Sequence, residues 1–157
     1  MRPREQTVAL VKELTHLRGR IITSYAQVEF LLADFSVKIN VDFPYRIKDR
    51  IKAAKKIVER PEYASYREEM IKICDELLEY DEARHLMAHG MVKLTADPQG
   101  NHDIEFRLYR QTRKETFELV EVHSSVARMR AAADEITAYV GRAVDLFRRI
   151  YKEMKLE

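Results

Sequence analysis

Residues 14–35 read LTHLRGRIITSYAQVEFLLADF, and their spacing decides the fold. Leu14, Ile21, Val28 and Phe35 recur every seven residues, with Tyr25, Leu32 and Ile39 interleaved at steps of three and four. Positions three and four apart share one helical face, so the stretch predicts a long amphipathic helix from about Glu5 to Asn40 that offers a packing seam to other helices. Gly19 inside it costs about 1 kcal/mol relative to alanine and is expected to mark a bend or a close helix contact. The segment Asp42-Phe-Pro-Tyr45 ends the helix, because the residue before a proline is pushed out of the helical region.

Downstream the same period returns. A shorter helix from about Arg46 to Arg60 carries Ile47, Ile51, Ala54 and Val58 on one face. Pro61 opens a third helix, since a first-turn residue needs no bonded N–H, and Tyr66, Met70, Ile73, Leu77 and Tyr80 form its stripe as far as the stop at Gly90. After Gly90 the period becomes two. Met91–Thr95 and Asp103–Tyr109 read as strands around the turn Ala96-Asp-Pro-Gln-Gly-Asn101, with Ile104, Phe106 and Leu108 on one face. Phe117, Leu119 and Glu121 continue as a third strand or begin the next helix. Ser124 or Ser125 caps a last helix that carries Val126, Met129, Ala133, Ile136, Val140, Ala143, Phe147, Ile150 and Met154. The expected fold is mainly α: an up-down bundle of four principal helices with a small antiparallel β insertion at about 91–122, in one domain over 1–157.

Composition narrows the classes further. The chain has 157 residues, 46% of them hydrophobic, which is enough for one core, and only four glycines and four prolines, which favours few long elements. No run approaches the length of a membrane span, and the charged start Met1-Arg-Pro-Arg-Glu5 lacks the apolar stretch of a secretory signal, so a cytoplasmic protein without membrane attachment is expected. The single cysteine, Cys74, has no disulfide partner and reads as a buried core thiol. Lys plus Arg (28) nearly balance Asp plus Glu (26), but their distribution is uneven. Seven basic residues, among them Lys48, Lys52, Lys55 and Lys56, fall between Arg46 and Arg60 against Asp49 and Glu59. They form either a solvated helix face or a patch that faces phosphate.

Continuing the third stripe from Tyr80 leads to Arg84 and then Met87, within Arg84-His-Leu-Met-Ala-His-Gly90. A guanidinium on a packing seam must be paired, or must face a cleft or partner, because an unpaired buried charge is very costly. At about 100° per residue His85 and His89 lie nearly above one another, whereas Arg84 and His89 are about 140° apart. The stretch resembles the HEPN superfamily of helical nucleotide-binding domains. The mark of that family is an arginine, a polar residue and a histidine four to six positions after the arginine. Here these are Arg84, His85 and His89, followed by Gly90, and the helix order agrees over most of the chain.

The resemblance implies a homodimer with facing motifs and, in many members, a metal-independent endoribonuclease that acts as a toxin or in defence. An antitoxin or a nucleotidyltransferase is then an expected partner, RNA the substrate, and no cofactor or metal is needed. The chemistry is coherent: attack of a 2′-hydroxyl on the adjacent phosphate needs proton transfer and a cation for the developing charge. Histidine titrates near neutrality, while arginine binds phosphate oxygens with a planar fork and stays charged. On this basis His89 is the acid/base and Arg84 the phosphate clamp. His85 orients one of them or the RNA, Glu29 is a candidate to hold Arg84, and Lys48, Lys52, Lys55 and Lys56 contact the RNA backbone. The alternative is a non-catalytic helical homodimer that binds a nucleotide, RNA or a protein, with Arg84 an interface ion pair and His89 a helix-terminal histidine. A zinc site is disfavoured, because the metalloprotease pattern needs glutamate where Leu86 stands. No Gly-rich phosphate loop and no serine or cysteine nucleophile constellation is present.

Overall fold

The computed structural model describes residues 3–156; Met1 and Arg2 of the charged start, and Glu157, lie outside the described residues. The order is α1 (Pro3–Lys38), α2 (Ile47–Ile57), a 3₁₀ turn (Pro61–Tyr66), α3 (Arg67–His89), β1 (Met91–Ala96), β2 (His102–Arg113), β3 (Thr116–Ser124) and α4 (Val126–Glu153). The chain is thus mainly helical, with four α-helices and a three-stranded sheet among the described residues. It divides into two compact units, one of residues up to Ile22 with Glu82–Glu135, the other of Thr23–Asp81 with the residues from Ile136 onward.

In the second unit the seam read from α1 is buried. Tyr25, Val28 and Phe35 are wholly out of solvent, and Leu32 nearly so. Phe35 packs edge-on against Tyr63, with ring centroids 5.6 Å apart, and against Phe147 of α4 at 5.8 Å. The helix stops at Lys38, two residues before the expected Asn40, because Asn40 takes a left-handed conformation (φ 56°). The N–H of Val41 then donates to the carbonyl of Ser36 at 2.9 Å, the six-to-one bond of a Schellman ending. Cys74 is buried, as read from the sequence, and burial pushes its thiol up to about 12. Tyr139, also fully buried, donates from its hydroxyl to the carbonyl of Ile73 at 2.6 Å.

One sequence expectation needs correction here and a second is narrowed. The chain after Pro61 is a 3₁₀ turn, and the α-helix begins only at Arg67. Tyr63 and Tyr66 are both buried and three residues apart, a spacing that a three-residue turn places on one side. Gly19, in the first unit, marks no close helix contact: beyond the backbone of its own turns of α1 and its chain neighbours, no atom among the described residues lies within 4 Å of where its Cβ would be. Gly19→Ala is therefore expected to raise the unfolding free energy by about 1 kcal/mol, read by urea denaturation.

In the first unit the sheet runs β1-β2-β3, antiparallel throughout. Ile104 and Phe106 turn inward, Leu108 is half-buried, and Gly100 (φ 85°) supplies the left-handed residue of the 96–101 turn. The segment around Phe117 is a strand. Ser125, the second of the two candidate caps, accepts from the N–H of Arg128 at 3.2 Å and opens α4. Arg20 pairs with Asp134 at 3.0 Å and Arg130 with Glu13, joining α1 to the start of α4. No helix among the described residues is long and apolar enough to cross a membrane.

Candidate functional site

The last turn of α3 carries the motif. Leu86 and Met87 point inward, at 8% and 7% exposure, which turns His85 and His89 out to solvent and leaves Arg84 half-buried between the two sides. The Nε of Arg84 is out of contact with solvent. The imidazole rings of His85 and His89 stand 4.8 Å apart between centroids and are tilted by 52°, as i, i+4 spacing requires. One exposed helix face thus presents two groups able to accept or donate a proton, and the half-buried Arg84 precedes them in the chain.

Gly90 ends the helix, but not through the left-handed conformation usual for such a glycine. Its N–H donates to the carbonyl of Leu86 at 2.8 Å, and a Cβ at this position would lie 2.5 Å from that oxygen. The chain turns directly into β1 without a connecting loop. Any side chain at position 90 would force the turn or the Leu86 carbonyl to shift.

The residue that holds this turn was missed in the sequence. Arg18, one turn after Leu14 on α1, donates from Nε to the carbonyl of Met87 at 3.0 Å and from one terminal nitrogen, Nη2, to the carbonyls of both Met87 and Gly90, the latter at 3.1 Å. Carbonyls at a helix C-terminus lack helical donors and carry the negative end of the helix dipole, so a guanidinium satisfies both needs. The available signal was position. Arg18 falls about 40° from Leu14 on the helical wheel, within the buried stripe, where a charge requires a partner. Arg18→Ala is expected to cost about 1–3 kcal/mol and to speed amide hydrogen exchange at residues 87–91 more than elsewhere.

The remaining candidates lie apart in sequence and unit. Glu29, on α1 in the second unit, lines a shallow groove with Phe30, Val37, Phe43 and Arg50. Also in that unit, Lys48, Lys52 and Lys56 are exposed on α2, while Lys55 is paired with Asp75 at 2.5 Å. His123 is engaged on the sheet by Asp103, 2.9 Å from its Nδ1, and that carboxylate raises its pKa above the ordinary 6.5. No group of three or more His, Cys, Asp or Glu among the described residues could hold a metal ion.

Compared with family models, curated proteins and solved structures, the chain matches none. The geometry at the end of α3 and the chemistry of its residues therefore carry the functional reading.

Proposed function

We propose that the chain is a HEPN-like, metal-independent endoribonuclease whose reaction is carried by Arg84, His85 and His89. The observation that supports this most is the paired imidazoles, 4.8 Å apart on the exposed face of a capped helix end. In the reaction the 2′-oxygen of RNA forms a bond to phosphorus and the bond to the 5′-oxygen breaks, leaving a 2′,3′-cyclic phosphate and a 5′-hydroxyl. His89 takes the proton from the 2′-hydroxyl or gives one to the leaving oxygen, and His85 is close enough to perform the complementary transfer. Arg84 binds the non-bridging oxygens, whose charge grows in the transition state.

The wider reading has four helices packed up and down, two chains paired so that their motifs face each other, and a cytoplasmic toxin or defence protein controlled by an antitoxin or a nucleotidyltransferase partner. A second reading, a non-catalytic dimer that binds RNA, is favoured by the exposed lysines of α2, which suit phosphate whether or not the histidines act. Mixed single-stranded RNAs incubated with purified protein in EDTA separate the two. Cleavage by the wild type, lost in Arg84→Ala, supports the enzyme; a wild type that folds, binds RNA and leaves it intact over hours supports the second reading.

A further inference from the structure

We propose that the exposed side of α2 and the aromatic turn before it form a platform for single-stranded nucleic acid, with Tyr45 stacking on a base and Lys48, Lys52 and Lys56 holding phosphates. This deepens the ribonuclease reading by naming the form of its substrate, and rests on that reading only for the choice of RNA.

Tyr45 is 91% exposed, so its ring contributes little to packing. Its turn is nonetheless well held. The guanidinium of Arg50 lies 5.1 Å from the ring centroid of Phe43 and 6.0 Å from that of Tyr45, and its Nε donates to the carbonyl of Pro44 at 2.8 Å. A cation over two aromatic faces fixes the rings at the start of α2 and leaves the Tyr45 ring largely in solvent.

The lysines follow from helix geometry. Lys48, Lys52 and Lys56 recur every four residues, so they rise along one side of α2, about 6 Å apart, away from the buried Ile51, Ala54 and Val58. Each is exposed, and none forms an ion pair among the described residues, whereas Lys55 is taken by Asp75. Arg46 and Arg60 extend the positive charge at both ends, and Asp49 and Glu59 are the acids in the same stretch. Lysine ammonium groups suit phosphate, which a single strand and a duplex both supply. An aromatic ring in solvent suits an unpaired base, whose π-face a duplex hides in its own stack. The combination selects a single strand.

The test uses the full-length wild-type protein and a fluorescent oligouridylate of roughly 12 nucleotides, 2′-O-methylated so that attack by the 2′-oxygen is blocked. Binding is read by anisotropy against a duplex of equal length and an abasic strand. The single strand should bind more tightly than either. Tyr45→Ala should weaken strand binding at least about fivefold and leave abasic binding unchanged, and Tyr45→Trp should retain the affinity. Lys52→Ala should lower the slope of log affinity against log salt by about 0.7. Wild-type affinity in Tyr45→Ala, a duplex bound as tightly as the strand, or Tyr45-dependent binding to phosphatidylserine vesicles with none to RNA would overturn the proposal. Because no chemistry is involved, failure to cut RNA leaves this result standing, and failure to bind through Tyr45 leaves the cleavage test untouched.

Discussion

His89→Ala is expected to lower the rate of RNA cleavage by about 10²–10⁴-fold while the protein unfolds at nearly the same denaturant concentration. The imidazole is exposed and stands at the last position of α3, so its removal opens no cavity in the core. The loss should fall on the chemical step, because an acid or base acts on the transition state, whereas binding of the uncleaved strand should change little. Arg84→Ala should fall about as far, near 10²–10³-fold, since a charged donor is removed from a site of developing negative charge. His85→Ala separates two roles. If the two rings divide the proton transfers, its loss should approach that of His89→Ala and the double variant should be little worse than either single one. If His85 only orients RNA, its loss should appear in KM and be overcome by more substrate. Single-turnover kinetics on a defined RNA measure all three.

Phe35→Ala is expected to cost about 3–5 kcal/mol, the largest stability loss of any single truncation considered. Phe35 is wholly buried, and the rings of Tyr63, Phe147 and Tyr151 lie within 6.5 Å of its own, centroid to centroid. Truncation therefore removes apolar burial, two edge-on ring contacts and the filling between α1, the 3₁₀ turn and α4. For a chain of this size the midpoint of thermal unfolding should fall by roughly 6–20 °C. Calorimetry checks this, and a fall of only a degree or two would mean that the aromatic cluster is not the centre of the second unit.

Much of this was legible in the sequence, and the exceptions have physical reasons. The seven-residue recurrence of Leu14, Ile21, Val28 and Phe35 marked α1 because each of these side chains is buried on one face. The strand at Phe117 and Leu119 was harder to read. Both side chains are largely exposed, at 64% and 41%, so their alternation carried no core signal and only the ladder to β2 fixes them. Of the candidate site, Arg84, His85 and His89 were legible because a charge interrupted an apolar stripe and helix periodicity set the two rings together. Arg18 was not, because its partners are backbone carbonyls, which every residue possesses and no residue type announces. The aromatic turn at Phe43–Tyr45 escaped as a binding feature for a similar reason: its order depends on Arg50 folding back over it from the first turn of α2.

The most direct measurement is the chemistry of the ends left on a defined single-stranded RNA by purified wild-type protein in excess EDTA, read by mass spectrometry. The expected products carry a 2′,3′-cyclic phosphate on one fragment and a 5′-hydroxyl on the other, and none form from a strand with 2′-O-methyl groups throughout. Fragments with 3′-hydroxyl and 5′-phosphate ends, cleavage that persists in His89→Ala, or an RNA that stays intact would contradict a ribonuclease built on Arg84, His85 and His89.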